Sequence, residues 1–126
     1  MYVFVYGSLK RGFSNHHLME SSKFICSTRT LEKFAMIDLD SFPGVIKEKK
    51  VSPIHGEVYD LDTNTLEQID AYEGKWYSRE DVELEAGLTA QMYFLVKYPR
   101  DTENLQVISK GFWTEKTSQE FTDVGQ

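Results

Sequence analysis

Tyr2-Val3-Phe4-Val5-Tyr6-Gly7-Ser8-Leu9-Lys10-Arg11-Gly12 opens the chain with five consecutive apolar or aromatic residues that stop at a glycine. A run without a polar position at every second residue has no face for water, and it predicts a strand covered on both sides. Gly7 then predicts a turn, because glycine tolerates positive φ and lets another group approach the backbone closely. The N–H groups of Ser8 and Leu9 have no evident strand partner there, so the turn can cradle an anion. An ordinary surface turn at the end of a strand would read the same way. The rest of the chain has to decide between them.

At 126 residues the chain has the length of one domain, with a core large enough to dispense with disulfides. Residues 1–126 read as that single domain, and about 101–126 as a polar C-terminal segment. The single cysteine, Cys26, has no internal partner, which suits a reducing compartment. No apolar run approaches a membrane span or a signal-peptide core, so the expected location is cytoplasmic and no membrane contact is expected. A formal charge of −6 argues against a non-specific grip on nucleic acid and points to small molecules or to neutral and cationic partners. The oligomeric state is left open. The 8 Phe, 7 Tyr and 2 Trp favour strands and pocket walls.

Working outward from the first strand, Ser14 to Glu20 predicts a short helix capped by Ser14 or Asn15. His16 and His17 are adjacent and project about 100° apart on a helix, so they do not form a metal pair as i, i+4 histidines would, and no metal is expected. Lys23–Leu31 and Phe34–Leu39 predict strands, with a turn at Asp40-Ser41-Phe42-Pro43-Gly44 and a further short strand from Val45. Lys47-Glu48-Lys49-Lys50 reads as a solvated hairpin tip. Ile54–Leu61 is a strand interrupted at Gly56-Glu57, where a bulge or a close backbone approach is expected. The Asp62-Thr63-Asn64 cluster caps a helix running to about Tyr72, with Asn64 and Glu67 resembling a capping box and Gly74 placed to end it. Tyr77–Glu85 and Leu88–Tyr98 form a hairpin around Ala86-Gly87, and Pro99 ends the second run. Val107-Ile108 and Phe112-Trp113 are the apolar points of the polar tail, able to lay back on the domain. Short strands without βαβ alternation define an α+β fold. A small, mostly antiparallel β-barrel or curved sheet with flanking helices hides their edges.

Glu73 is the residue that this pattern does not absorb. It falls seven residues after Leu66 and four after Ile69, so it shares their apolar stripe together with Asp70. A carboxylate pointing with an apolar face resists ionisation, takes a raised pKa and becomes a functional candidate. The bland alternative is a fraying helix end reaching solvent, where the negative pole of the helix offers a carboxylate nothing.

The opening motif Val3-Phe4-Val5-Tyr6-Gly7-Ser8-Leu9-Lys10-Arg11-Gly12 followed by Asn15-His16 resembles the N-terminal signature of gamma-glutamylcyclotransferase-like proteins, most closely the gamma-glutamylamine cyclotransferase branch. Gly56-Glu57-Val58-Tyr59 resembles that family's central strand, Leu66 through Glu73-Gly74 its helix with the catalytic glutamate, and Ser109-Lys110-Gly111-Phe112-Trp113 its C-terminal element. The resemblance spans nearly the whole chain. It implies a compact barrel whose pocket lies where Tyr6-Gly7-Ser8-Leu9 meets Glu73. It also implies conversion of a γ-glutamyl amine or γ-glutamyl amino acid into 5-oxoproline and a free amine, with no cofactor and no metal. In that chemistry the substrate's α-amino group attacks its own γ-carbonyl, Glu73 moves the proton, the turn N–H groups hold a carboxylate or the developing oxyanion, and Tyr6 lines the wall. The chain is short for the family, which leaves the leaving amine open.

Two other readings bear on the same residues. A non-catalytic module could use the turn to bind a small acidic metabolite. Gly7 and Gly12 have the spacing of a phosphate loop, but Phe13 stands where its lysine belongs and no βαβ order surrounds it. Cys26, on a strand without basic neighbours, reads as core rather than as a nucleophile.

Overall fold

The computed structural model describes residues 1–40, 42–97 and 106–115. Along these the elements run β1 (Tyr2–Val5), β2 (Lys23–Arg29), β3 (Ala35–Asp38), β4 (Pro43–Ile46), β5 (His55–Asp60), α1 (Thr63–Glu73), β6 (Tyr77–Glu83), β7 (Thr89–Leu95) and β8 (Gln106–Ile108), with 3-10 turns at His16–Met19 and Gly74–Trp76. A five-stranded sheet has the order β2-β5-β1-β7-β6, and a three-stranded sheet the order β4-β3-β8.

β1 sits at the centre of the larger sheet, antiparallel to β5 with Val3 opposite Tyr59, and parallel to β7 with Val3 opposite Gln91. Its unbroken apolar run follows from that position. Val3 and Val5 pack on the α1 side with Leu66, Ile69 and Tyr59, while Phe4 and Tyr6 face a second cluster with Met36, Val45, Met92 and Phe94. The mixed α+β class is the one expected, but the barrel is not closed. The five-stranded sheet curls until its edges touch at a single Thr30–Leu84 bridge, flanked by Leu31 N–H to Glu83 O at 3.0 Å and Glu85 N–H to Arg29 O at 2.9 Å. Among the described residues that contact does not extend into a ladder between β2 and β6. About eight strands are needed before a barrel's bore accommodates its side chains. The cluster beneath this sheet includes Phe4, Tyr6, Phe34, Phe94 and Trp113, and the second sheet covers it instead.

Several local expectations change for identifiable reasons. The segment after the opening turn is a 3-10 turn rather than a capped α-helix, and the Asn15 side chain makes no cap bond. On α1 the cap is Asp62, whose Oδ1 accepts the Thr65 N–H at 2.7 Å, so the proposed Asn64–Glu67 box lies inside the helix. β4 begins at Pro43, within the expected turn, which is tolerable because among the described residues β4 is an edge strand paired only with β3. Asp40 retains the turn with φ 80°. Lys47–Lys50 joins the two sheets rather than tipping a hairpin; it is solvated, with Lys47 paired to Glu80 and Lys50 to Glu32 at 3.2 Å. The polar tail contains a strand, since β8 extends the smaller sheet with Val107 opposite Ile37. Trp113 is buried there and Phe112 exposed. The β6–β7 hairpin forms as expected around Gly87, with φ 86°. Ser41, residues 98–105 with the expected stop at Pro99, and residues 116–126 lie outside the described residues.

Two contacts lock the chain around β1. A Cβ on Gly56 would lie 2.3 Å from Val5 O, which is the close backbone approach expected of that glycine. The C-terminal segment is held against the loop after β1 by Lys10 Nζ donating to Trp113 O at 2.8 Å and Ser14 N–H donating to Glu115 at 3.0 Å. Lys10 is buried between the Phe13 and Phe112 rings, and desolvation lowers its pKa to about 8.

Candidate functional site

Glu73 is the last residue of α1, one turn beyond Ile69, which is fully buried. Gly74 ends the helix because its φ of 71° suits glycine, and its N–H returns to Asp70 O. The helix end is therefore fixed rather than frayed, and the Glu73 side chain lines a cavity of about 220 Å³ beside β1. Burial raises the carboxyl pKa to about 7, with the nearby Asp70 charge adding to the effect. Asp70 itself accepts hydrogen bonds from Arg79, at 3.0 and 3.1 Å, and from the Tyr93 hydroxyl at 2.5 Å. Among the described residues no hydrogen-bond donor reaches Glu73, so its carboxyl group is available to a ligand.

The opening turn forms the facing wall. Gly7 O accepts the Lys10 N–H at 3.1 Å and Ser8 O accepts the Asn15 N–H at 3.0 Å. Among the described residues the N–H groups of Ser8 and Leu9 have no acceptor. Gly7 is required by proximity and not by positive φ: a Cβ there would lie 2.9 Å from Pro43 Cγ on β4. The smaller sheet thus presses on the turn and forms part of the cavity. Tyr6 lines the same space, with its hydroxyl donating to Tyr93 O at 2.7 Å. Burial pushes its pKa well above the ordinary tyrosine value.

All five residues singled out from the sequence, Tyr6, Gly7, Ser8, Leu9 and Glu73, line this one cavity. Sequence reasoning missed the rest of the wall. Phe42 and Pro43 come from the turn before and the start of β4, Trp76 and Tyr77 follow Gly74, and Tyr93 comes from β7. Tyr77 is anchored by its hydroxyl donating to Pro43 O at 2.9 Å, and burial holds it neutral. Aromatic richness signalled walls in general but not which residues supply them. Asn15, read as a helix cap, bonds Ser8 and Tyr72 instead. Its place in the opening motif was the available signal.

His16 Nδ1 lies 2.8 Å from Leu9 O and thereby braces the turn. Among the described residues no group of three or more His, Cys, Asp or Glu is placed to hold a metal ion, and no helix is long and apolar enough to cross a membrane. Cys26 is partly buried and packs against the larger core cluster.

Fold and cavity together define an α+β protein with a small-molecule pocket, in which a carboxyl group of raised pKa faces a turn with two unclaimed N–H donors. The chain belongs to the family described as Gamma-glutamyl cyclotransferase, AIG2-like, which it matches over residues 3–115. That membership makes it an enzyme of the gamma-glutamylcyclotransferase kind. It is 45% identical over 100 residues to the "Putative gamma-glutamylcyclotransferase" of Methanocaldococcus jannaschii, covering 74% of this chain and 82% of that one. It is 34% identical over 99 residues to "Gamma-glutamylaminecyclotransferase C" of Danio rerio, covering 67% of this chain and 62% of that protein. A crystal structure from Pyrococcus horikoshii shares the fold, with a TM-score of 0.78 at 23% identity over 100% of this chain and 99% of that one.

Proposed function

We propose that the protein converts a γ-glutamyl amine or γ-glutamyl amino acid into 5-oxoproline and the free amine by intramolecular aminolysis. The observation that carries this reading is the meeting, in one cavity, of a Glu73 carboxyl with a pKa near 7 and the open N–H groups of the Ser8-Leu9 turn.

The chemistry follows from proton accounting. A substrate α-amino group is mostly ammonium at neutral pH and attacks only as the free base. Ionised Glu73 accepts a proton from it, and the freed amine forms a C–N bond to the γ-carbonyl carbon, closing a five-membered ring. The carbonyl oxygen gains negative charge, which backbone N–H groups of the turn stabilise. Protonated Glu73 then delivers its proton to the departing nitrogen as the old amide C–N bond breaks, and the carboxylate so regenerated takes the second proton from the ring nitrogen, a proton that leaves with the amine as its ammonium. A pKa near 7 suits both halves of this cycle, since the group must take and return a proton at about the same pH. Ring closure is intramolecular, so much of the remaining work is to hold the substrate folded between the aromatic walls.

The test is direct. Purified protein is incubated with γ-glutamyl amino acids, γ-glutamyl amines, ε-(γ-glutamyl)lysine and glutathione, and 5-oxoproline is followed by mass spectrometry. Turnover of at least one class is expected. Binding of 5-oxoproline without turnover of any would favour the non-catalytic module.

A further inference from the structure

Asn15 stands in the 3-10 N-cap position without capping, and its side-chain hydrogens are spent elsewhere. Nδ2 donates to Ser8 Oγ at 2.9 Å and to the Tyr72 hydroxyl at 2.9 Å, and those two oxygens lie 3.3 Å apart. The three side chains form a closed triangle linking the opening turn, the segment after it and the end of α1. Ser8 and Tyr72 both line the cavity that holds Glu73.

The count of protons in this triangle decides its polarity. A primary amide has two N–H donors, and here each hydroxyl oxygen accepts one. Ser8 and Tyr72 therefore keep both of their own O–H protons. At most one is used in the Ser8–Tyr72 contact, so at least one is left over to donate to a third acceptor. Accepting from Asn15 also strengthens each hydroxyl as a donor. Among the described residues no cationic side chain lines the cavity, so an anion held there by them depends on neutral donors, among them the turn N–H groups and these hydroxyls.

We propose that Asn15 is a positioning residue that converts Ser8 and Tyr72 into a hydroxyl donor pair for the α-carboxylate of the ligand, and that this pair, together with the turn, selects acids over neutral analogues. The assignment rests on the γ-glutamyl reading above and deepens it. It also matches the connectivity of such a substrate. Its α-carboxylate and α-amino group share one carbon, and Tyr72 and Glu73 both line the one cavity. One places the carboxylate while the other meets the amine.

The experiment measures binding of 5-oxoproline and of its carboxamide by calorimetry, to wild type, Tyr72→Phe, Asn15→Asp and the double variant. Tyr72 is 45% exposed, so its phenylalanine variant should fold; circular dichroism verifies each protein. Wild type should prefer the acid over the amide by about tenfold or more, as expected for a charge-assisted bond. Tyr72→Phe should bind the acid several-fold more weakly, with amide binding little changed. Asn15→Asp replaces two donors by acceptors and places a negative charge beside the pair, so the preference for the acid should vanish. Because Asn15 acts through the hydroxyl, adding Tyr72→Phe to Asn15→Asp should cost little more. With a substrate that turns over, Tyr72→Phe should raise KM several-fold while the pH at which kcat/KM reaches half its plateau stays unchanged. Equal binding of acid and amide by wild type, full discrimination in Asn15→Asp, or additive effects in the double variant would each overturn the proposal. Selective acid binding without turnover of any γ-glutamyl compound would instead remove the catalytic reading and leave this one standing.

Discussion

Replacing Glu73 by Gln separates the electrostatic cost of the site from its chemistry. Moving a carboxyl pKa from 4.5 to about 7 corresponds to about 3 kcal/mol at roughly 1.4 kcal/mol per pH unit, and about 2–3 kcal/mol once solvent screening of a partly exposed group is allowed for. The sign is set by which state holds the proton. Below pH 4.5 the carboxyl is neutral in both folded and unfolded chains, and the two proteins should be about equally stable. Between 4.5 and about 7 the folded state keeps a proton that the unfolded chain releases, so wild type loses stability as pH rises. Above about 7 the full cost of a buried carboxylate is present. Glutamine has no such group, so Glu73→Gln should exceed wild type by about 2–3 kcal/mol at pH 8, or roughly 10 °C in Tm for a chain of this size, and by almost nothing at pH 4.5. Melting curves across pH 4.5–8.5 read this directly. In the same variant, 5-oxoproline formation should fall by about 10²-fold or more, with unchanged circular dichroism. Parallel Tm-against-pH profiles for the two proteins would refute the buried, proton-holding Glu73, and near-normal turnover would remove it from the reaction.

Three further outcomes follow from particular contacts. With a turned-over substrate, kcat/KM should rise with pH and level off above about 7 as Glu73 ionises in the free enzyme; a flat profile over pH 5.5–8.5 would count against a base with this pKa. 5-Oxoproline should raise the Tm of wild type and of Glu73→Gln alike, because it binds only the native state. Gly7→Val, which drives a side chain into Pro43 from a Cβ position 2.9 Å away, should remain folded by circular dichroism yet lose that shift, and a retained shift would place the ligand elsewhere. Gly56→Ala puts a methyl group 2.3 Å from Val5 O, so β1 and β5 must part; a loss of about 3 kcal/mol is expected in urea unfolding, and a loss below about 1 kcal/mol would show that the strands yield easily.

The chain's local patterns determined the parts of the protein that depend on near neighbours. An unbroken apolar run can only be a strand covered on both faces, and Val3 and Val5 on one side with Phe4 and Tyr6 on the other are the direct result. The stripe through Leu66 and Ile69 carried Glu73 inward because helical spacing is a property of the backbone, and Gly74 marked the end because its φ suits few other residues. Spacing alone did not distinguish a fixed carboxyl from a frayed one. What only the tertiary structure decided depends on pairings between distant residues. The choice between a closed barrel and two sheets depended on how much aromatic volume met beneath β1. β8 was hidden because Val107 and Ile108 acquire their strand partner from β3, far back in the chain. Gly7 needed its missing side chain for Pro43, not for its own φ. Asn15 follows the local preference for a helix start, yet its side chain is drawn away by Tyr72, 57 positions further on. Competition of that kind is settled by which hydrogen-bond partners the packed core brings within reach, and no window of neighbouring residues contains them.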